Sequence, residues 1–481
     1  MSKLSKLAGE TALYGLGSIV PRVLNFFLIA LHTRIFHPGE LGLYTNLYAW
    51  VAFLNIVYLF GLETAYFRFA TRAGASEITI FKSAQTFILT LGIFLTGAML
   101  LFAAPIADYF GIPNQPELIR WLAMLMFLDA AVSIPFARLR IQKKALRFVT
   151  AKLINVALVI GLNLYFLLVI YDPAVGIGYP ILANLIANAF YVLFFATTLI
   201  QWRPVWEKET LRAMFSYSWP IMLMGLAGMT NEMFSRLTLG WWLPEGFYPG
   251  RDTDYAWGVF GACFRFSVII NVAVQAFRFA AEPFFFSNAQ DKNSPELFAR
   301  VNHYFIIVCG FMVLSVVVHL DWLKYLIDAP YWEGLGVVPY LLYGYVFLGV
   351  YYNLSIWYKL TDRTYAGTAI TVLGMVITIG LNYLLIPVAG YLGSSWATLA
   401  CYTTMAITSY ALGQKYYPVP YRVGQALFYL GLSVVLINLG YWVTFNQPVA
   451  DFLFHCGLMG IYAAVVYVRE KDELRRPEVV N

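Results

Sequence analysis

Apolar runs of about twenty residues recur along the whole chain, punctuated by short stretches of charged residues, Pro and Gly. A run of that length crosses about 30 Å of hydrocarbon when helical. The pattern predicts spans near 12–32, 44–66, 82–104, 118–137, 153–171, 176–200, 213–239, 255–281, 303–320, 334–358, 365–387, 391–412, 423–443 and 449–468. The predicted class is an all-α polytopic membrane protein with about fourteen transmembrane helices. The connections are short and leave almost no chain for a soluble domain.

Cations gather in alternate connections: Arg68, Arg72 and Lys82; then Arg138, Arg140, Lys143, Lys144, Arg147 and Lys152; then Arg203, Lys208 and Arg212; later Lys359, Arg363, Lys415 and Arg422. Lys3 and Lys6 lie at one end and Arg469, Lys471, Arg475 and Arg476 at the other. The positive-inside rule puts these and both termini in the cytoplasm. The opposite connections hold few cations, chiefly Arg34, Arg251 and Lys324, among several acids. An even number of spans satisfies every loop at once. The stretch after Lys3 and Lys6 lacks a small-residue cleavage site and reads as a retained first span rather than a signal peptide.

Composition sharpens this reading. With 60% hydrophobic and 12% charged residues and a mean hydropathy of +0.67, soluble globular classes are excluded. The aromatic share of 18% suits two membrane interfaces. The net charge of +6 does not point to nucleic acid, because the cations are strung between apolar runs rather than gathered on one domain. Cys263, Cys309, Cys401 and Cys456 each fall inside an apolar run without a C-x-x-C pair, and the five histidines are scattered, so no metal site or disulfide framework is expected. There is no G-x-x-x-x-G-K-[ST] motif for nucleotide triphosphate, and no cofactor is expected.

A first helix with Pro21 leads to a second ending Phe67-Arg68-Phe69-Ala70. A seventh with Pro220 leads to an eighth ending Phe277-Arg278-Phe279-Ala280. The separations, 46 and 57 residues, differ by the length of the longer outer loop 244–254. Two readings fit: chance, since short identities come cheaply in so aromatic a chain, or an internal repeat. The repeat reading gives two six-helix lobes, 1–202 and 203–422, in parallel arrangement about an axis along the membrane normal, with two extra helices and a tail in 423–481. Transporters bind substrate between such halves.

Ionisable residues inside the runs are the candidate functional groups, because each costs about 2.5–3.5 kcal/mol at bilayer depth on insertion scales. Arg22 and Arg265 lie near the middle of spans one and eight, with two readings open: lining a cavity, or bonding to buried carbonyls or an acid on another helix. Two arginines facing one cavity would suit an anion, since guanidinium forks match phosphate oxygens. Arg68 and Arg278 end their helices at the cytoplasmic side, as snorkelling anchors or as an entrance ring. Glu232 and Arg236, one turn apart, read as a local ion pair or as a coupling site. Asp129 reads as a proton or cation site, or as a partner for an arginine.

The stretches Gly15-Leu16-Gly17-Ser18-Ile19-Val20-Pro21-Arg22-Val23-Leu24-Asn25-Phe26-Phe27 and Thr33-Arg34-Ile35-Phe36-His37-Pro38-Gly39-Glu40-Leu41-Gly42-Leu43-Tyr44 resemble the opening of bacterial polysaccharide-repeat-unit flippases. Phe215-Ser216-Tyr217-Ser218-Trp219-Pro220 and Ala281-Glu282-Pro283-Phe284 are similar to the second-half pattern of that family, a branch of the multidrug/oligosaccharidyl-lipid/polysaccharide exporter superfamily. The resemblance implies two six-helix lobes around a central cavity, alternating access, and a polyprenyl-pyrophosphate-linked oligosaccharide as substrate in the bacterial cytoplasmic membrane. It implies that Arg22 and Arg265, with Arg278, stand where the related lipid II flippases place cavity arginines. The apolar Phe26 and Phe27 depart from those flippases and favour the polysaccharide branch. Membrane lipids and the polysaccharide polymerase machinery are the implied partners, and no nucleic acid.

Three other functions compete: a lipid II or other precursor flippase, a drug/cation antiporter of the same fold, and an integral-membrane glycosyltransferase or polymerase. The antiporter would want buried carboxylates without competing cations, whereas the deep charges here are mainly Arg. An enzyme needs a catalytic loop, and the longest outer connections are about a dozen residues. Asp252-Thr253-Asp254 has the Asp-x-Asp spacing but falls on the outer side, where nucleotide sugars are absent. The chain is therefore expected to be a transporter and not an enzyme.

Overall fold

The computed structural model describes residues 3–72, 76–288, 293–361, 363–445 and 447–474, with side chains for all but 3–14, 16, 18, 279, 280, 282, 283, 286, 287 and 472–474. Of the predicted topology signals, Arg475 and Arg476 lie outside the described residues, as do the side chains of Lys3 and Lys6. In hydrocarbon a backbone must satisfy its own polar groups, which a helix does within one segment, and among the described residues the regular structure is helical throughout.

The helices are α1 (Lys3–Ile35), α2 (Pro38–Leu59), α3 (Leu62–Ala70), α4 (Glu77–Leu101), α5 (Ala103–Tyr109), α6 (Pro116–Ile141), α7 (Ala145–Leu168), α8 (Gly178–Phe194), α9 (Ala196–Ile200) and α10 (Lys208–Trp242). They continue as α11 (Thr253–Phe264), α12 (Val268–Ser287), α13 (Ser294–Val318), α14 (Leu320–Leu323), α15 (Val338–Leu354), α16 (Ile356–Leu360), α17 (Thr364–Tyr416), α18 (Val423–Trp442) and α19 (Pro448–Leu474). Every predicted span falls on helix. By length and composition, ten helical segments among the described residues can cross a membrane. The long helices α1 and α10 are not among the ten, and they carry Arg22 and the Glu232–Arg236 motif.

Some predicted spans are broken inside, and two run together. The second breaks at Phe60 and Gly61, both with positive φ, 51° and 67°. The eighth breaks at a 3-10 turn over Arg265–Ser267. The predicted spans 365–387 and 391–412 are joined in the 53-residue α17, whose backbone leaves helical geometry at Gly390 (φ 57°, ψ −137°). Pro387 lies three residues before that break. The hydroxyl of Tyr248 fills the notch: it accepts the Tyr391 N–H at 3.2 Å, and its ring stacks on Tyr391 with centroids 4.7 Å apart. A side chain at position 390 would collide with that hydroxyl, so Gly is required by both φ and space.

The chain divides into two compact units, Met1–Ala262 with Met375–Ser394, and Cys263–Gly374 with Ser395–Asn481. In the first, α1 packs along α7, and α6 lies against α4 and α8. Phe136 is its aromatic centre, meeting Phe148, Tyr191 and Phe195 edge-on at centroid distances of 5.5, 4.9 and 4.8 Å. α2 and α11 cross on glycine. A Cβ at Gly42 would strike the Asp254 carbonyl, and one at Gly258 the Pro38 carbonyl, so the two backbones are in contact, as small residues allow between membrane helices. In the second unit α13 packs against α15, α18 and α19, and α12 against α15.

Candidate functional site

In the first unit, Arg22 follows Pro21 on α1 and its side chain is exposed, flanked by exposed Val23, Leu24 and Phe27. Arg68 ends α3, with its guanidinium 4.3 Å over the ring of Tyr217 near the start of α10. That stacking holds the fork flat and leaves its edge donors available. Glu232 and Arg236 are half-buried on α10. The Arg236 carbonyl accepts the indole N–H of Trp257 from α11.

Asp129 is bonded to an amide rather than to an arginine. Its Oδ1 accepts from Asn188 Nδ2 at 2.8 Å, and Asn188 Oδ1 accepts from Asn155 Nδ2 at 2.9 Å, a chain linking α6, α8 and α7. The cation electrostatically coupled to Asp129 is Lys152. Sequence put Lys152 in a cytoplasmic connection, but α7 begins at Ala145, so Lys152 stands two turns into the helix. Its ammonium sits 4.4 Å from the Phe136 ring centroid and 4.9 Å from that of Tyr191. Nearby polar links carry the same theme: Asn184 donates to the Tyr48 hydroxyl at 2.8 Å, and His32 Nε2 meets Asn163 Oδ1 at 2.9 Å. Lys152 and Asn155, three apart in an apolar run, were the sequence signal for this cluster.

Two of the cations counted for topology are clasps between helices. Arg138 forks onto Glu77 at 3.0 and 3.2 Å, and the Tyr66 hydroxyl donates to the same carboxylate at 2.5 Å. Arg140 pairs with Glu63. Asp252, first member of the Asp-x-Asp spacing, caps α11 by accepting the Tyr255 N–H at 2.7 Å.

In the second unit Arg265 occupies the 3-10 turn and is half-buried. Arg278 on α12 is exposed, with its guanidinium 4.6 Å over the ring of Tyr352 at the end of α15. It lines a small cleft with Tyr352, Asn353, Ser355 and Lys359. The enclosed volume is about 20 Å³, room for one water or one phosphoryl oxygen. Lys359 was counted only as a topology signal, yet it brings a second cation and Ser355 a hydroxyl to the wall beside Arg278. No group of three or more metal-ligating side chains occurs among the described residues.

The apolar helices make the chain a multi-pass membrane protein, and its fold is one shared with solved membrane transporters. Over 96% of this chain and 100% of the other, it superposes on a lipid II flippase, MurJ, in an inward closed conformation, with a TM-score of 0.76 at 13% identity. An inward-facing multidrug resistance MATE family transporter matches over 82% of this chain and 94% of its own, with a TM-score of 0.63 at 15% identity. An outward-facing transporter of the same description gives a TM-score of 0.58 at 15% identity over 84% and 95% of the chains. At these identities the likeness is one of fold. Residues 31–247 match the family described as "Polysaccharide biosynthesis protein". No curated protein matches the sequence.

Proposed function

We propose that the protein is a flippase that moves polyprenyl-pyrophosphate-linked oligosaccharide across the bacterial cytoplasmic membrane by alternating access, with both termini in the cytoplasm. The observation that carries this reading is the match of residues 31–247 to the polysaccharide-biosynthesis family on a chain of flippase fold. The charges fit it. Arg22 and Arg68 in one unit and Arg265 and Arg278 in the other stand in or at the end of apolar runs, where a diphosphate supplies opposite charge and several acceptors for their donor forks. Lys359 adds a cation at the Arg278 cleft. Asp129 and Glu232 are the candidate groups for ion coupling, and Arg236 is a candidate charge partner. The glycan occupies aqueous space, the prenyl tail stays in lipid, and the product feeds the polymerase that extends cell-surface polysaccharide.

The test is translocation in proteoliposomes of defined polyprenyl-diphosphate glycans, read by access of an external glycan-modifying enzyme, with a cationic dye as control. Glycolipid transfer without dye transfer is the expected result. Dye efflux without glycolipid transfer would make the protein an antiporter and overturn the reading.

A further inference from the structure

His319 and Cys456, 137 residues apart in the chain, meet in the second unit: Cys456 Sγ on α19 lies 3.9 Å from His319 Nε2 at the end of α13. On its other side His319 Nδ1 lies 2.9 Å from the Ser315 carbonyl. A carbonyl only accepts, so that nitrogen carries the ring proton and Nε2 keeps its lone pair for the thiol. An imidazole with one nitrogen anchored on a backbone carbonyl and the other open is the arrangement that metal-bound histidines use. Cys456 is exposed, whereas Cys263, Cys309 and Cys401 are buried. His319 is the first residue beyond Ser294–Val318, a segment able to cross a membrane, so an ion reaches the pair from the membrane edge.

A second histidine stands at the same spot. His455, beside Cys456 in sequence, is 5% exposed, and its ring meets that of His319 edge-on with centroids 5.8 Å apart. Its Nδ1 has no hydrogen-bond partner among the described residues. A buried nitrogen without a partner is rare and marks a place where a ligand can supply one. Phe452 lies 5.1 Å from His319, and Trp322 5.5 Å from Phe452, which makes an aromatic wall on one side. The nearest carboxylates along the chain are already bonded, Asp321 to Lys324 at 3.0 Å and Asp451 to the Phe445 N–H at 2.7 Å.

We propose that His319 and Cys456 bind a soft monovalent metal ion of the copper(I) class, with His455 turning in as a third ligand. Thiolate with imidazole selects such an ion, whereas calcium and magnesium want a shell of oxygens and structural zinc a full tetrahedron. Bonds of the length zinc makes, about 2.3 Å to sulfur and about 2.0 Å to nitrogen, span the 3.9 Å gap at an angle of about 130°, so an ion fits between the two atoms as they stand. The thiol proton leaves to solvent as the sulfur–metal bond forms. The bound ion ties α19 to the end of α13. The site stands on the second unit alone, independent of the substrate carried.

The experiment uses the full chain, purified in mild detergent under ascorbate and titrated with copper(I) against a chromogenic chelator, with zinc as control. One copper(I) per chain is expected, with both sulfur and imidazole in its X-ray absorption spectrum and a raised thermal unfolding midpoint. Cys456→Ser, at an exposed position, should abolish binding and that rise. His319→Gln should weaken binding at least tenfold in protein that keeps its metal-free midpoint. Should His319→Gln fail to fold, the spectrum of the parent decides, and sulfur without imidazole overturns the site. Absence of binding by the parent, unchanged binding in Cys456→Ser, parental affinity in His319→Gln, or zinc held as tightly as copper(I) would each overturn it as well.

Discussion

Replacing Asp129 by Ala tests whether the Asp129–Asn188–Asn155 chain and Lys152 act as one balanced cluster inside the first unit. Asn188 loses its acceptor, and an unsatisfied buried donor costs about 1–3 kcal/mol. Lys152 loses the charge coupled to it, in a segment where an ammonium costs about 2.5–3.5 kcal/mol on insertion scales. The rings of Phe136 and Tyr191 return about 0.5–2 kcal/mol of that. The net expectation is a loss of about 2–4 kcal/mol for Asp129→Ala, and a similar loss for Lys152→Met, which strands the carboxylate. Asp129→Asn combined with Lys152→Met removes both charges while keeping an acceptor for Asn188, so it should lie within about 1 kcal/mol of the parent, as when buried pairs are replaced together. Unfolding by SDS titration in mixed micelles measures all of these variants, including Asp129→Asn alone. A double variant equal to the sum of its two singles within about 0.5 kcal/mol, the limit for independent sites, would refute the coupling. Transport by the double variant then separates two roles: a stable protein that no longer moves substrate makes Asp129 a coupling group, and one that still does makes it structural.

Under the proposed function, Arg22→Ala, Arg265→Ala and Arg278→Ala should each reduce glycolipid translocation at least tenfold at normal expression, while Lys at the same positions keeps part of it, because charge survives but the fork does not; parental rates in all three Ala variants would make these arginines structural. At the α2–α11 crossing, Gly258→Ala forces two backbones apart and should cost about 1–3 kcal/mol or more, read as a lower unfolding midpoint. Tyr248→Phe removes the acceptor for the Tyr391 N–H and should cost about 1 kcal/mol by the same assay. Membrane-impermeant thiol labelling from outside should modify Thr253→Cys and spare Lys144→Cys; the reverse would overturn the cytoplasmic placement of the termini.

How much of this was legible beforehand depends on whether the signal is local. Helix positions follow from apolar runs bounded by charge, Pro and Gly, because hydrocarbon forces each crossing segment to close its own hydrogen bonds. The break near residue 390 was legible for the same reason, since Pro387 and Gly390 punctuate the run. The resemblance to polysaccharide flippases was legible in the Gly- and Pro-bearing stretches of the first and seventh spans, and the family match over residues 31–247 agrees with it. Partners across helices were not legible. Sequence spacing offered Glu232 and Arg236 to each other because they are one turn apart, and gave no sign that Trp257 from α11 meets the Arg236 backbone. Asp129 offered no partner at helical spacing; its amide comes from Asn188, 59 residues away. Lys152 and Lys359 looked like positive-inside markers, since a cation next to an apolar run has the same appearance whether it snorkels outward or folds against an aromatic wall. Only the packing of α6, α7 and α8 makes Lys152 part of a buried cluster, and only the approach of α12 to α15 and α16 brings Lys359 beside Arg278.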